Sequence, residues 1–222
     1  MNARTVTSLS NATVKAVRAL HMRKEREESG LFLAEGLKIV IEAIDCGHAP
    51  KILMYGRDAA DHPMLQKASQ ACLKAGGEII EVNREILEKV SRRDNPQAVV
   101  GVFRQVFTPL DAIIPQSAPC WVAMQAVRDP GNLGTVIRTA DAAGCGGVIL
   151  VGDCVDPYSV EGVRATMGSI FAVKIVKATI PEFLAWRETW PGSVVGTLLT
   201  ATVDHKSADY VKPSLILMGN EQ

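Results

Sequence analysis

The 222-residue chain has no long apolar segment. Apolar runs such as Val148–Val151 and Leu215–Met218 are far too short to span a bilayer, and Met1–Ser8 contains no apolar core of a secretion signal. We therefore predict a cytoplasmic protein that does not enter a membrane.

The sequence also has no excess of one charge. Lys and Arg total 24, Asp and Glu also total 24, and the formal net charge is zero. This balance excludes a uniformly basic coat for nucleic acid, although it allows a local basic patch.

Disulfide and metal patterns are absent as well. The five cysteines include no C-x-x-C pair, and their odd number in a chain of this size favours reduced, mostly buried thiols. The four histidines are scattered without the spacing of metal ligands, so we predict no metal site.

Apolar residues recur instead with the spacing of alternating helices and strands. Val14, Val17 and Leu20 follow the N-cap residue Asn11 at helical spacing, whereas short runs such as Val148–Val151 are typical of buried strands. The pattern predicts an α/β fold with a parallel sheet covered on both faces.

Three prolines mark a division of the chain. Pro109, Pro115 and Pro119 lie among small residues, a composition typical of a linker. We predict a first domain over residues 1–107, a linker over 108–119 and a second domain over 120–222.

The segment Asp129–Asp141 is the most informative one for chemistry. It follows a predicted strand, and open α/β sheets bind ligands at the carboxyl ends of their strands. Its glycines allow close approach of backbone, the helix start offers free N–H groups to an anion, and Asn132 is placed as a cap or a polar contact. Arg138 lies two turns along the helix. The spacing is neither G-x-G-x-x-G nor a P-loop, and an ordinary tight turn with a solvated Arg fits the residues about as well.

A basic patch near the start of the chain is a candidate for phosphate contact with RNA. A solvated helix face with i,i+4 ion pairs is the alternative. The candidate RNA-binding residues are Lys15, Arg18, Arg23, Lys24 and Arg26, with Arg92 and Arg93 in a later loop.

Three segments in order make the second half similar to a known family. The run Asp129–Ala140 resembles the first signature motif of the SpoU (TrmH-like) family of RNA ribose 2′-O-methyltransferases. Asp156–Ser159 with Arg164–Ser169 resembles its next landmark, and Leu215–Glu221 resembles the start of its second motif. The first half resembles the L30e-like RNA-binding domain at Phe32–Gly36 and Ser91–Val102.

The resemblance implies both a fold and a reaction. It implies an N-terminal L30e-like α/β/α domain that holds RNA and a C-terminal SPOUT domain, an α/β sheet with a trefoil knot. It implies transfer of a methyl group from S-adenosylmethionine to a ribose 2′-hydroxyl of ribosomal or transfer RNA, by a homodimer that shares its active sites. By position, the implied catalytic residues are Asn132, Arg138 and Glu221, and the implied cofactor-binding residues are Thr197, Leu198, Leu199, Met218, Gly219 and Asn220.

The sequence departs from the family pattern after Gln222, where a third motif is expected. We therefore expect an incomplete knot and a truncated form of a longer enzyme. A non-catalytic RNA-binding protein is the alternative function. A nucleotide-dependent oxidoreductase is disfavoured because the G-x-G-x-x-G fingerprint is absent. Whether Arg138 acts as a base or stabilises a developing alkoxide stays open, although Arg is essentially always protonated.

Overall fold

The computed structural model describes residues 3–198, 200–201 and 203–219. The chain forms two compact units, one made of Met1–Gln105 with Tyr158–Arg164 and the other of Val106–Pro157 with Ala165–Gln222. The main division lies two residues before the predicted end of the first domain. Within the described ranges, no helix combines the length and the apolarity needed to cross a membrane.

The first unit is built on a five-stranded sheet with the order β1-β4-β3-β5-β2. Its strands are β1 (Arg4–Val6), β2 (Leu31–Glu35), β3 (Ile52–Gly56), β4 (Glu78–Val82) and β5 (Val99–Arg104). Its helices are α1 (Ala12–Ala19), α2 (Arg23–Ser29), α3 (Leu37–Asp45), α4 (Pro63–Lys74) and α5 (Arg84–Ser91).

The direction of β5 makes this sheet mixed. β5 runs antiparallel to both β2 and β3, whereas β1, β3 and β4 are parallel. The prediction of a parallel sheet is wrong for this unit, because the chain after α5 returns to the edge where β3 ends. The Gly56 N–H donates to the Ala98 carbonyl there, at 2.8 Å.

Asparagine side chains begin two helices that pack on this sheet. Asn11 Oδ1 accepts a hydrogen bond from the Thr13 N–H at 3.0 Å, and Asn83 Oδ1 accepts one from the Ile86 N–H at the same distance. The cap at Asn11 agrees with the sequence prediction, and Asn83 acts in the same way, since Asn satisfies otherwise unpaired N–H groups. α1 and α5 then bury Val14, Val17 and Ile86 against the sheet.

The second unit is built on a five-stranded sheet with the order β8-β7-β6-β10-β9. All of its neighbouring strands are parallel, which confirms the prediction for this half. The strands are β6 (Cys120–Gln125), β7 (Gly147–Val151), β8 (Lys174–Ala178), β9 (Val194–Thr197) and β10 (Ser214–Met218). The helices that follow β6, β7 and β8 in the chain are α6 (Pro130–Ala142), α7 (Val160–Thr166) and α8 (Ile180–Arg187), of which α7 belongs to the first unit up to Arg164.

The stretch predicted as a linker packs against the second unit. The Thr108 N–H donates to the Ile175 carbonyl at 2.8 Å, and Thr108 bridges Val176 in parallel. Ile113 is buried in the core beside Trp121. The apolar side chains between the prolines therefore anchor this stretch to the second sheet instead of leaving it between two domains.

Gly146 provides a test of this core. A Cβ atom there would lie 2.3 Å from Cε2 of Trp121, which is fully buried. Gly146→Ala should lower the free energy of unfolding by about 1–3 kcal/mol, because the core has to shift to accept the methyl group. Urea denaturation followed by tryptophan fluorescence measures this change in the second unit, which contains Trp121, Trp186 and Trp190. The control is Gly196→Ala, where a Cβ meets no atom within 4 Å. Equal losses in the two variants would contradict the packing argument.

Candidate active site and basic surface

The carboxyl ends of three strands meet at one edge of the second sheet. Met218 at the end of β10 is in register with Met124 of β6 on one side and Thr197 of β9 on the other. Leu198 and Gly219 come directly after these strand ends and are exposed. The structure thus brings together four of the predicted cofactor residues. The predicted residues Leu199, Asn220 and Glu221 lie outside the described residues.

The helix α6 begins near this edge because the loop after β6 leads directly into it. Asp129 is the N-cap, and its Oδ1 accepts a hydrogen bond from the Asn132 N–H at 2.6 Å. Pro130 occupies the first turn, where a missing N–H costs nothing. Asn132 is therefore not the cap that the sequence allowed. It lies in the first turn with an exposed side chain.

Arg138 lies further along α6 with its side chain in solvent. Within the described residues, no carboxylate or carbonyl pairs with its guanidinium. The nearby Thr135 hydroxyl donates to the Gly131 carbonyl at 2.9 Å and is thereby turned onto the helix. Arg138 lies about 9 Å from Asn132 along the helix axis, within reach of one bound nucleotide. An unpaired guanidinium in this position can hold a phosphate or a developing oxyanion.

The loop between β6 and α6 contains backbone strain. Ala126 has φ 52°, a left-handed conformation that costs a non-glycine residue roughly 1–2 kcal/mol. Its N–H donates to the Val151 carbonyl at 3.1 Å, which holds it beside the end of β7. Arg128 then pairs with Asp153 at 2.6 Å across the two loops. Such strain concentrates at functional sites. The sequence contains no pattern that signals either feature.

Cys154 lies in the loop that follows β7. Its Sγ is 3.4 Å from the Val151 carbonyl oxygen, and burial raises its pKa above the ordinary value for a thiol. Cys154 therefore stays protonated at neutral pH and acts as a packing group rather than a nucleophile.

Four of the predicted RNA-binding residues are exposed cations in the first unit. Lys15 and Arg18 lie on the outer face of α1, and Arg92 and Arg93 follow the last turn of α5. His21 joins the two helices, since its Nε2 lies 2.7 Å from the Val90 carbonyl oxygen. Burial lowers the pKa of His21, which favours the neutral imidazole at neutral pH. Within the described residues, none of the four cations pairs with a carboxylate.

The other predicted cations of this patch have partners of their own. Arg23 pairs with Glu27 at 2.7 Å and Lys24 with Glu28 at 3.7 Å, the i,i+4 pattern of a solvated helix. Arg26 is only 3% exposed, and its guanidinium donates to the Leu20 carbonyl at 2.8 Å. We therefore correct its predicted role, because Arg26 holds the end of α1 and has almost no surface for a phosphate.

A cavity of about 400 Å³ opens beside the loop that carries Arg92 and Arg93. It lies at the ends of β3 and β4, and its polar lining combines Arg57, Asn83, Arg84 and Asn95 with the Asp58 carboxylate. This mixture of donors and an acceptor suits the edge of a base. No local sequence pattern marks this cavity, because its residues are far apart in the chain.

Comparisons with known proteins find a matching family for each half of the chain. The model of the SpoU rRNA Methylase family matches residues 119–222, and that of the MRM3-like substrate binding domain matches residues 11–101. The crystal structure of an rRNA methyltransferase from Sinorhizobium meliloti is 47% identical, with a TM-score of 0.93 over 100% of this chain and 83% of that chain. This chain belongs to the SpoU rRNA methylase family.

Two further relatives show what members of this family bind and modify. An AdoMet-bound rRNA methyltransferase structure from Sinorhizobium meliloti is 48% identical, with a TM-score of 0.92 over 99% of this chain and 82% of that one. The 23S rRNA (guanosine(2553)-2′-O)-methyltransferase RlmP of Bacillus subtilis is 29% identical over 97% of this chain and 82% of its own length. The predicted family is thereby confirmed.

The cap of α6 can be tested by substitution. Asp129→Ala removes the acceptor for the Asn132 N–H and should lower the free energy of unfolding of the second unit by about 1 kcal/mol. Asp129→Asn keeps an oxygen in the same place and should change the free energy of unfolding by only about 0.2–0.3 kcal/mol. Urea denaturation with tryptophan fluorescence measures both. A decrease as large in the Asn variant as in the Ala variant would contradict the capping role.

Proposed function

We propose that this chain transfers a methyl group from S-adenosylmethionine to a ribose 2′-hydroxyl of ribosomal RNA. The observation that carries the proposal is that the ends of β6, β9 and β10 lie side by side and that α6 begins directly after β6, in a SpoU rRNA methylase. The AdoMet-bound relative supports the donor, and the Bacillus subtilis relative supports the acceptor class.

The residues at this edge fit the donor. An adenosine moiety needs apolar surface for its ring and backbone groups for its edges. Leu198 offers an aliphatic side chain that is 71% exposed, and Thr197 adds a hydroxyl. A Cβ atom on Gly219 would meet no neighbour within 4 Å, so the backbone at the end of β10 is open to a ligand. When bound, S-adenosylmethionine supplies a methyl group on a positively charged sulfur.

The transfer makes simple demands on the protein. The ribose oxygen forms a bond to the methyl carbon, the bond from that carbon to sulfur breaks, and the hydroxyl proton leaves. The protein has to align the two reactants and lower the energy of the oxyanion. Arg138 carries only donors, so it stabilises the oxyanion or orients an adjacent phosphate, while water or another group accepts the proton. Asn132 contacts the ribose or phosphate from the first turn of the same helix.

The remaining predicted parts belong to the same proposal. A homodimer and a catalytic role of Glu221 are supported by the similarity of Leu215–Glu221 to the second motif of the family. Cytoplasmic localisation stays a prediction from the sequence.

In the first unit, RNA is held by the exposed cations Lys15, Arg18, Arg92 and Arg93. This assignment is supported by the absence of carboxylate partners for the four cations within the described residues, which leaves their full charge for phosphates. The adjoining cavity provides space for a nucleotide that is displaced from its stack, the form in which proteins read RNA bases.

Removal of the Arg138 guanidinium tests the reaction. Arg138→Ala should lower the rate of methyl transfer to rRNA by about 10²–10³-fold, because an oxyanion stabiliser is removed. Incorporation of radiolabelled methyl groups measures the rate, and Arg138→Lys should keep part of it because the charge remains. The fold and the binding of S-adenosylmethionine should not change. An unchanged rate would contradict the role of Arg138. A wild-type chain that binds RNA but does not bind S-adenosylmethionine would favour the non-catalytic alternative.

Paired substitutions test the RNA surface. Lys15→Ala with Arg18→Ala should weaken RNA binding and reduce the slope of log affinity against log salt by about 2, because two phosphates are no longer neutralised. The matched control is Arg23→Ala with Lys24→Ala, which removes the same charge from residues that are already ion-paired. Filter binding over a salt series measures both. Equal slopes for the two double variants would place the RNA elsewhere.

A further inference from the structure

The cavity at the ends of β3 and β4 lies entirely within the first unit. Its lining comes from three segments: the residues that follow β3, those that follow β4, and the stretch between α5 and β5. Its volume of about 400 Å³ falls within the range of small-molecule sites, roughly 300–1,000 Å³. A single base that has left its stack can therefore enter it.

Two of the polar residues that line the cavity already have partners in the fold. Asn83 caps α5 with its Oδ1, and its Nδ2 donates to the Thr7 carbonyl at 3.4 Å. Arg84 pairs with Glu88 at 2.9 Å and donates to the Asp94 carbonyl at 3.3 Å. These contacts give both side chains a structural role, which explains their presence in the lining.

Three other polar side chains of the lining have no such role. Within the described residues, Arg57, Asp58 and Asn95 form no hydrogen bond or ion pair through their side chains, either with each other or with a fourth residue. A guanidinium, a carboxylate and an amide are therefore all available to a ligand of this cavity.

The position of the Asp58 carboxylate depends on Gly56, the last residue of β3. A Cβ atom on Gly56 would lie 2.6 Å from Asp58 Oδ1 and 3.0 Å from Cδ1 of Leu87. The φ of Gly56 is −79°, a value open to any residue, so its backbone does not require glycine. The missing side chain instead leaves room for the carboxylate beside the apolar wall of the cavity.

A carboxylate in an RNA-binding cavity selects among the four bases. It only accepts hydrogen bonds and it repels phosphates, so a base must face it with donors. Guanine carries two adjacent donors, N1–H and the N2 amino group, beside the acceptor O6. Cytosine and adenine each offer one amino group, and uracil offers one N–H between two acceptors. A carboxylate accompanied by separate donors therefore fits guanine best.

We propose that this cavity binds a guanine base of the RNA. Asp58 accepts hydrogen bonds from N1–H and the N2 amino group, while Arg57 and Asn95 donate to the acceptor atoms of the same base. The ring lies against the apolar side chains of Val82 and Leu87. The inference rests on the RNA binding proposed for the first unit, and it concerns recognition by that unit alone.

Short single-stranded RNA tests the proposal on the full chain. Fluorescence anisotropy compares the heptamer UUUGUUU with the same RNA carrying inosine or adenosine at its centre. Inosine lacks only the N2 amino group, so the guanosine RNA should bind about tenfold more tightly than the inosine RNA, and the adenosine RNA should bind more weakly than the guanosine RNA. Equal affinities for the three RNAs would overturn the guanine site but not the phosphate contacts. Binding of none of them would overturn the proposed RNA binding as well.

Asp58→Asn separates base recognition from net charge. A solvated carboxylate near RNA repels phosphates, so its removal would strengthen the binding of every RNA. A carboxylate that holds guanine has the opposite effect on the guanosine RNA, whose affinity should fall about tenfold until it no longer exceeds that of the inosine RNA. Tighter binding of all three RNAs by this variant would overturn the proposal.

The matched control is Asp61→Asn. Asp61 is an exposed carboxylate three residues further along the chain, and it does not contribute to the lining of the cavity. This variant carries the same change in charge, so it should keep the preference for the guanosine RNA. A loss of preference equal to that of Asp58→Asn would overturn the specific role of Asp58.

Gly56→Ala tests the same carboxylate without changing any charge. The added methyl group takes the place of Asp58 Oδ1 and displaces the carboxylate. The affinity for the guanosine RNA should therefore fall severalfold, while the affinity for the adenosine RNA changes less than about twofold. Circular dichroism verifies that the variant is folded. A folded variant with an unchanged preference for guanosine would overturn the placement of the base at Asp58.

Discussion

The parallel pairing of β10 between β6 and β9 decides where the proposed active site of this protein lies. In a parallel sheet each strand is reached by a connection that returns to the amino edge, so the loops that leave the strands collect at the carboxyl edge. Met218, Thr197 and the chain leading to Asp129 are neighbours for this reason alone. The cap at Asp129 then begins α6 at this edge, with Asn132 in its first turn and Arg138 about 9 Å further along the helix axis.

The arginines of this chain differ in where their charge is used. Arg26 and Arg164 donate to carbonyl groups or to a buried carboxylate, so their charge is used within the fold. Arg18, Arg92 and Arg138 are exposed, and their charge is directed at solvent. The zero net charge of the chain is therefore compatible with RNA binding, because phosphates respond to the local unpaired cations rather than to the sum.

Local signals made much of this structure predictable, and non-local contacts account for the rest. The Asn11 and Asn83 caps and the buried parallel strands of the second unit depend on neighbouring residues, which the sequence displays. The antiparallel direction of β5 was not predictable, because an apolar run has the same composition in either direction. Arg26 was assigned to RNA because a charged residue in a sequence does not reveal whether its partners are water or carbonyl groups. The site itself was predictable in part, since Asn132, Arg138 and the strand ends lie in contiguous motifs. The Arg164–Glu35 pair joins residues far apart in sequence, and no local pattern announces it.

Since Arg138 has no basic atom to offer, the contribution of this protein to methyl transfer depends on geometry more than on proton transfer. The reactants are aligned only if α6 is held firmly. Two elements can pack very closely against each other only where one of them lacks a side chain. Gly134 provides that position, in contact with Ala165 and between the two catalytic candidates. The close contact of Gly134 with Ala165 therefore fixes the part of α6 that carries Asn132 and Arg138.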